Sequence, residues 1–311
     1  MDKVRDRDAI LALAKRSTPW RCGLGRFADV ELARRLDGSD STSTRLHRAN
    51  GAVSGFANVT PRVLRGFDLT AIAVDGPAFR ALVDWAVENC PGDTALHTSA
   101  SATDDASTAL SQQGFRSYLV QRTMEFRAGA PKVSALPTPY RFADLAEVGL
   151  AALMATYVVA WPEDDVDEAD AEESFRETDG LVVACDAAHV AGYAMWERTE
   201  DGIGVIHEVA VHPNHRRLGI GAALTMFAVE RLRPVTSRIE LVVMEENPAQ
   251  RLYERLGFEV VEDLVFMHRQ RQVLARITHE CPTADDDTLA VAGQYSCVLR
   301  THSLRPPRHS A

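Results

Sequence analysis

The sequence predicts a protein of the α/β or α+β class, because strand-like and helix-like segments alternate through its second half. Residues 203–212 are rich in β-branched side chains, which favour strands, and they follow a turn at Glu200-Asp201-Gly202. Residues 142–161 are dominated by residues that favour a helix, and Pro162 ends it. The predicted strands are 181–186, 189–198, 203–212, 238–244 and 258–267, and the predicted helices are 142–161, 219–232 and 248–256.

A proline-rich stretch divides the chain into two halves that share a pattern. Gly129–Pro139 contains three prolines and several small residues, a composition typical of a linker. In each half a helix-like stretch ends in a Gly-Phe pair, Gly114-Phe115 and Gly257-Phe258, and a methionine follows ten positions after the glycine. Such repetition predicts two copies of one fold. The predicted domains are a first copy at 1–128, a linker at 129–139, a second copy at 140–270 and a tail of unknown role at 271–311.

Composition and charge argue against several functional classes. The 311 residues carry a formal charge of −10, whereas a nucleic-acid-binding protein needs a basic face. The five cysteines are scattered and the histidines lack metal-ligand spacing, so we expect neither a disulfide framework nor a metal site. The charged start and the lack of a long apolar run argue against a signal peptide and a membrane helix. We therefore expect a cytoplasmic protein without nucleic-acid or membrane partners.

The segment with the clearest chemical meaning lies between the predicted strand 203–212 and the predicted helix 219–232. It reads His212-Pro213-Asn214-His215-Arg216-Arg217-Leu218-Gly219-Ile220-Gly221-Ala222. A glycine-containing turn that opens a helix presents backbone N–H groups, and the helix dipole adds positive potential. Gly219 and Gly221 allow a ligand to approach the backbone, while Arg216 and Arg217 add charge. This pattern predicts a bend that binds a diphosphate.

A second motif follows the predicted strand 238–244. Asn247 suits the N-cap of a helix, and Pro248 suits its first position. Positions 249, 252, 253 and 256 share one apolar face of this helix, so Tyr253 considered alone fits the core.

Together the two motifs resemble those of the GNAT acetyltransferase superfamily, over about residues 138–268. Arg216-x-x-Gly219-x-Gly221 matches the coenzyme loop of that family, and Leu252-Tyr253 and Gly257-Phe258 match its following helix. The resemblance implies the GNAT fold, a mixed central sheet flanked by helices, here in tandem copies. It also implies an N-acetyltransferase that uses acetyl-CoA as co-substrate and an amine as acceptor.

The resemblance assigns roles to individual residues. Tyr253 stands where the family has the acid that protonates the leaving thiolate, and Asn247 where the family contacts the pantetheine arm. Backbone amides near Val209–Val211 stand where the family stabilises the oxyanion. The implied coenzyme contacts are Val209, Ala210, Val211, Arg216, Arg217, Leu218, Gly219, Ile220, Gly221, Ala222 and Asn247.

The general base is less well defined by the sequence. Glu208 is the first candidate, and strand alternation places it on the face opposite His207. His207 stays a rival, because the sequence does not say which face meets the acceptor. Glu245 and Glu246 are weaker candidates, and a water relay with Glu208 as a solvated or substrate-fixing group is a further alternative.

An acidic stretch at 163–173 falls where relatives cover the acceptor site. Its carboxylates could attract a cationic acceptor such as a polyamine, an aminoglycoside or a basic peptide. A solvated helix face is the simpler interpretation, and we favour it.

The first half departs from the family pattern. Where the coenzyme loop is expected, the chain reads Val74-Asp75-Gly76-Pro77-Ala78-Phe79-Arg80, without a basic turn or a Gly-x-Gly. Leu110 stands where the second half has Tyr253. We therefore expect the first copy to have lost coenzyme binding.

Three functions fit these motifs. The first is an N-acetyltransferase for a small-molecule amine, and the second is a protein N-terminal or lysine acetyltransferase. The third is a regulatory protein that binds acyl-CoA without turnover. The intact loop, Asn247 and Tyr253 favour an enzyme.

Overall fold

The fold is seen in a computed structural model of the chain. It describes residues 3–16, 19–24, 32–33, 36, 43–62, 66–90, 94–127, 135–162 and 168–270. Positions 129–134 of the predicted linker, 163–167 of the acidic stretch and the tail 271–311 lie outside these residues.

Strands and helices alternate along the chain, as the sequence predicts. The strands are β1 Arg21–Cys22, β2 Thr44–Ala49, β3 Ala52–Pro61, β4 Phe67–Ala73, β5 Leu96–Ser101, β6 Arg116–Phe126, β7 Arg141–Ala143, β8 Gly180–Cys185, β9 Val190–Arg198, β10 Ile203–Val211, β11 Arg238–Met244 and β12 Phe258–Arg269. The helices are α1 Lys3–Lys15, α2 Gly76–Asn89, α3 Asp105–Gln112, α4 Leu145–Val148, α5 Leu150–Ala160, α6 Glu168–Glu177, α7 Ile220–Leu232 and α8 Gln250–Arg255, with a 3₁₀ turn at Pro213–His215.

The chain forms two compact units, each made of separate stretches of sequence. Among the described residues, the first unit contains those up to 124 together with 243–250 and 260–270, and the second contains 125–242 and 251–259. The proposed division into copies at 1–128 and 140–270 stays a prediction.

The first unit contains a mixed sheet covered by helices. Its strands lie in the order β2-β3-β4-β5-β12-β6, and β1 pairs with β4. Strand β5 is parallel to β4 and antiparallel to β12. Helix α2 packs on β3 and β4 and buries Phe79, Leu82 and Val83 in the core.

The second unit contains a mixed sheet between two layers of helices. Its strands lie in the order β11-β10-β9-β8-β7, with β10 and β11 parallel and the other pairs antiparallel. Helix α7 lies over the face of Gly192 and Gly204, because Leu224 and Leu232 approach these glycines. Helices α5 and α6 share a core cluster with Tyr193 and so cover the opposite face. The predicted mixed sheet flanked by helices is confirmed.

The predicted single helix 142–161 is wrong. Residues 141–143 form strand β7, and Gly149 separates helices α4 and α5 with a φ of 79°. Asp144 caps α4 by accepting a hydrogen bond from the amide of Glu147 at 2.9 Å. The run of good helix formers after Gly149 conceals this break in the sequence.

The other predicted boundaries agree with the observed ones to within two residues, and strand 238–244 agrees at both ends. Helix α7 begins at Ile220 because Gly219 is a left-handed N-cap, and α8 begins at Gln250, after a turn. Within the described residues, no helix is long and apolar enough to span a bilayer.

Candidate functional site

The bend between β10 and α7 is exposed and rich in unpaired helix amides. It passes through a 3₁₀ turn, a positive φ of 65° at Arg217 and one of 88° at Gly219. Gly219 has no side chain to cap α7, and the first helical bond runs from the Ala223 amide to the Gly219 carbonyl. The amides of residues 220–222 therefore lack acceptors within the helix. Such a helix end suits an anion.

Cationic groups surround this bend. Arg217 is exposed, whereas Arg216 donates to the carbonyls of Val211 at 3.1 Å and Ala160 at 3.4 Å. The pKa of His212 is lowered by burial and by the positive charge of the neighbouring His215 and Arg216. Arg216 thus ties the bend to the ends of β10 and α5, while its charge contributes to the local positive field.

Strand β10, helix α7 and helix α8 converge at the bend. A Cβ atom on Gly221 would lie 3.5 Å from Leu252 Cδ2 and 3.5 Å from Val211 Cγ2. The protein itself leaves room for a side chain at this position. The small size of Gly221 is therefore not explained by packing, whereas the positive φ of Gly219 requires a glycine.

The end of β10 diverges from its parallel neighbour. The register between β10 and β11 runs from Ile203–Arg238 to Ile206–Leu241 and stops there. Within the described part of the chain, Val209–Val211 pairs with β9 alone. This edge offers backbone groups to an extended ligand, next to the bend.

Tyr253 lies in a largely buried position on α8. The residue is 8% exposed, and its ring centroid lies 6.0 Å from that of Phe258. Burial raises the pKa of Tyr253 to about 12. No side chain or carbonyl among the described residues hydrogen-bonds to its hydroxyl. The burial of Tyr253 agrees with the core position that the helix pattern indicates. Its hydroxyl is nevertheless available to donate a hydrogen bond, because no described residue accepts one from it.

Asn247 precedes α8 and stabilises the turn that leads into it. Its side-chain oxygen accepts from the Ala249 amide at 2.9 Å, and its carbonyl accepts from Gln250 at 3.1 Å. Asn247 thus lies before the helix, as predicted, but Pro248 belongs to the turn and not to the first helical position.

Glu208 is held by two side chains that the sequence analysis did not single out. The Trp161 indole N–H donates to Glu208 Oε1 at 2.7 Å, and the Tyr193 hydroxyl donates to the same oxygen. Burial, followed by the charge of Glu208, raises the pKa of Tyr193 well above its usual value, so this hydroxyl stays protonated and a donor. These partners lie 47 and 15 positions away in sequence, so no local signal indicates them.

The other candidate bases have different surroundings. A bulge separates Ile206 from Glu208 in the pairing with β9, and the extra residue, His207, lies 2.9 Å from Glu197. Glu245 pairs with Arg122 at 2.6 Å, and Glu246 is exposed. Of these carboxylates, Glu208 is the one held by a buried tyrosine.

The described part of the acidic stretch forms the amphipathic helix α6. Ala171 and Phe175 are buried in the core, whereas Glu173 and Glu177 are exposed. Glu172 pairs with Arg176 at 3.1 Å. This arrangement is that of a solvated helix face.

The corresponding helix start in the first unit has other chemistry. Asp75 caps α2 by accepting from the Ala78 amide at 2.8 Å, and Pro77 supplies no amide. A carboxylate therefore occupies the helix end that an anion needs. Leu110, the counterpart of Tyr253, is fully buried.

Comparison with known proteins points to one family for the second half. Residues 149–258 match the model of the Acetyltransferase (GNAT) family. A mycothiol acetyltransferase of Actinosynnema mirum is 36% identical over 98 residues, which are 30% of this chain and 33% of that protein. One from Thermomonospora curvata is 36% identical over 101 residues, 32% of this chain and 34% of its own length. The chain thus matches about a third of the length of these relatives.

Solved structures share the fold over most of the chain. A GCN5-related N-acetyltransferase from Sphaerobacter thermophilus is 20% identical with a TM-score of 0.63, covering 78% of this chain and 85% of its own. A tandem GNAT protein from the clavulanic acid biosynthesis pathway is 17% identical with a TM-score of 0.59, covering 86% of this chain and 94% of its own. At these identities the likeness concerns the fold.

Proposed function

We propose that the chain transfers an acetyl group from acetyl-CoA to a primary amine, because residues 149–258 match the model of the Acetyltransferase (GNAT) family. The observation that carries the proposal is the bend at 216–222, which is exposed at 216–219. Three helix amides without intrahelical partners lie there beside Arg216 and Arg217. The coenzyme diphosphate would bind there, with its pantetheine arm along the free edge of Val209–Val211.

The reaction we propose is direct attack in a ternary complex. The amine nitrogen forms a bond to the thioester carbon, and backbone amides at the end of β10 stabilise the oxyanion. As the C–S bond breaks, Tyr253 gives its proton to the thiolate, and the nitrogen, now bonded to the acetyl carbon, loses a proton to solvent. Solvent returns a proton to the Tyr253 phenolate after the coenzyme leaves. Burial keeps Tyr253 protonated at neutral pH, as this role requires.

Glu208 is the base in this proposal. An amine reaches the site as an ammonium ion and must lose a proton before it attacks. The carboxylate of Glu208 is fixed by the Trp161 and Tyr193 donors to one oxygen, and a fixed carboxylate can be placed against a substrate nitrogen. His207 stays the alternative, since its ring is close to Glu197 and lies beside Glu208 in the strand.

Two kinds of acceptor amine are compatible with this proposal. A small-molecule amine is the first, because the relatives with 36% identity are named mycothiol acetyltransferases. A protein N-terminus or lysine is the second. The exposed carboxylates of α6 would favour a cationic acceptor of either kind, but their solvated arrangement gives this little weight.

An acceptor panel tests the proposal. Release of free coenzyme thiol from acetyl-CoA is measured with polyamines, aminosugars and basic peptides as acceptors. We expect turnover with at least one small amine, and a large loss of rate in Tyr253→Phe without loss of acetyl-CoA affinity. Tyr118→Phe, the same change at a residue of the first unit, is the control. Tight binding of acetyl-CoA without turnover on any acceptor would instead favour a regulatory acyl-CoA-binding protein.

A further inference from the structure

Residues 19–24 of the first unit lie between strands β4 and β5. Arg21 pairs with Ile72 and Cys22 with Ala71 on the β4 side, and the Gly23 amide donates to the Ser99 carbonyl of β5 at 2.7 Å. Strands β4 and β5 pair directly only at Phe67–Leu96 and Asp68–His97, in the register that the structure describes. The segment therefore fills the gap that opens where the two parallel strands diverge.

The start of the same segment covers the ends of two helices. A Cβ on Gly76, the first residue of α2, would lie 2.8 Å from the Trp20 ring, and this ring is 5.9 Å from Phe79. The Pro19 carbonyl accepts from the Ala106 amide in the first turn of α3 at 3.0 Å. One hexapeptide thus contacts a strand edge, the start of α2 and the start of α3.

The second unit has the same three features in the same chain order. Strands β10 and β11 diverge after Ile206 and Leu241, α7 begins at the exposed Gly219, and α8 follows β11. The Gly-Phe pairs that follow α3 and α8 align β4-α2-β5-α3 of the first unit with β10-α7-β11-α8 of the second. In the second unit these are the positions at which the proposed coenzyme would lie.

The segment is built into the first unit. Cys22 is fully buried in the core cluster with Phe79 and Leu82, and Leu24 is 4% exposed. Gly23 has a φ of +67°, and a Cβ there would meet the Leu69 carbonyl oxygen at 2.1 Å. The backbone passes so close to β4 that only glycine fits.

We propose that residues 19–24 are a permanent peptide occupant of the first unit's ligand cleft. They lie where the second unit would hold a pantetheine arm, a comparison that rests on the proposed function. The first unit consequently takes no coenzyme, and its cleft binds a segment of this chain instead.

Hydrogen exchange of the full chain tests this inference, read by mass spectrometry on two peptides. The peptide with residues 19–24 reports on the occupant, and the peptide with 209–222 reports on the proposed coenzyme site. We expect residues 19–24 to exchange as slowly as β4, with and without saturating acetyl-CoA. We expect residues 209–222 to exchange more slowly when acetyl-CoA is added.

Exchange at 19–24 tests the proposed occupant, and the effect of acetyl-CoA at 209–222 tests the proposed coenzyme site. Fast exchange at 19–24 in the free chain, or faster exchange there on addition of acetyl-CoA, would overturn the permanent occupant. Slow and unchanged exchange at 19–24 with no acetyl-CoA effect at 209–222 would leave the occupant in place and refute the coenzyme site.

A matched pair of variants tests the anchoring by Trp20. Trp20→Ala is expected to raise exchange at 19–24 by about 10-fold, because the ring no longer holds the segment against α2. Trp85→Ala, which removes another half-buried indole that packs on the same core, is expected to leave the exchange at 19–24 unchanged. Equal effects of the two substitutions would contradict the assigned role of Trp20.

Discussion

Two buried tyrosines of the second unit differ in their partners. Tyr193 is fully buried and donates to Glu208, whereas the Tyr253 hydroxyl has no partner among the described residues. Proton transfer from an acid with a pKa of about 12 to a thiolate whose thiol has an ordinary pKa of about 8.5 costs roughly 5 kcal/mol of free energy. Burial beside Tyr253 would also raise the pKa of the coenzyme thiol, so the difference between the two pKa values becomes smaller. Tyr253 is therefore suited to a thiolate that leaves within the buried site and not in water.

The pH dependence of the rate tests the state of Tyr253. Because burial raises the pKa of Tyr253 to about 12, its proton is retained as the pH rises through 10. We expect Tyr253→Phe to lower kcat by about 100-fold. Near pH 10 we expect the pH profile of the wild-type rate to have the same shape as that of the variant. Steady-state rates between pH 6 and about 10.5 measure both. A falling limb near pH 10 that disappears in Tyr253→Phe would contradict the raised pKa.

A double-mutant cycle tests whether Tyr193 acts through Glu208. Tyr193→Phe removes one donor to Glu208 and keeps the ring, so we expect kcat/KM for the amine to fall by about 10-fold. In a Glu208→Gln background the same change should have little further effect. The cycle is measured with acetyl-CoA saturating. Multiplicative losses in the double variant would show that the two side chains act independently.

The strand–bend–helix element was predictable, and the reason is local. Glycines at 219 and 221, arginines at 216 and 217 and the change of hydrophobic period all lie within one short stretch. The break at Gly149 was missed because the helix formers around it outweigh one glycine in a composition-based prediction. Strand β1 could not be predicted, because two residues carry no periodicity and their partner on β4 lies about fifty positions later.

The two glycines of the bend have different structural roles, and stability measurements separate them. Gly219→Ala forces a side chain into a left-handed conformation, and we expect it to destabilise the fold by about 1 kcal/mol. Gly221 is helical, and Ala there meets side chains at ordinary contact distance. We expect Gly221→Ala to stabilise by up to about 1 kcal/mol. Thermal melts of both variants should therefore shift in opposite directions, and shifts of the same sign would refute this distinction.

At the scale of the whole molecule, the two units differ in what lies where their parallel strands diverge. In the first unit residues 19–24 fill the divergence between β4 and β5, and Asp75 caps the adjacent helix. In the second unit β10 diverges from β11 after Ile206 and leads into an exposed bend that carries Arg216 and Arg217. The sequence predicts that the first half has lost coenzyme binding, because it has no basic turn and no Gly-x-Gly there. The occupant that we propose lies about fifty positions before its partner β4, so no local pattern indicates it.

This difference predicts a stoichiometry. We expect one acetyl-CoA to bind per chain, in the second unit, and equilibrium dialysis with labelled acetyl-CoA measures the number directly. Trp20→Ala should leave the stoichiometry at one, because Asp75 and Pro77 still deny the first unit an anion site. Two equivalents bound to the wild type would contradict the account of the first unit.

The central claim is that the bend at 216–222 binds the coenzyme diphosphate, and calorimetric titration of acetyl-CoA into Gly221→Glu tests it most directly. The substitution places a carboxylate beside the helix amides at a position where packing leaves room. We predict that Gly221→Glu abolishes binding. The control Val235→Glu, which adds the same charge at an exposed site beyond the other end of α7, should keep the wild-type affinity within about threefold. An unchanged affinity in a folded Gly221→Glu protein would show that the diphosphate binds elsewhere.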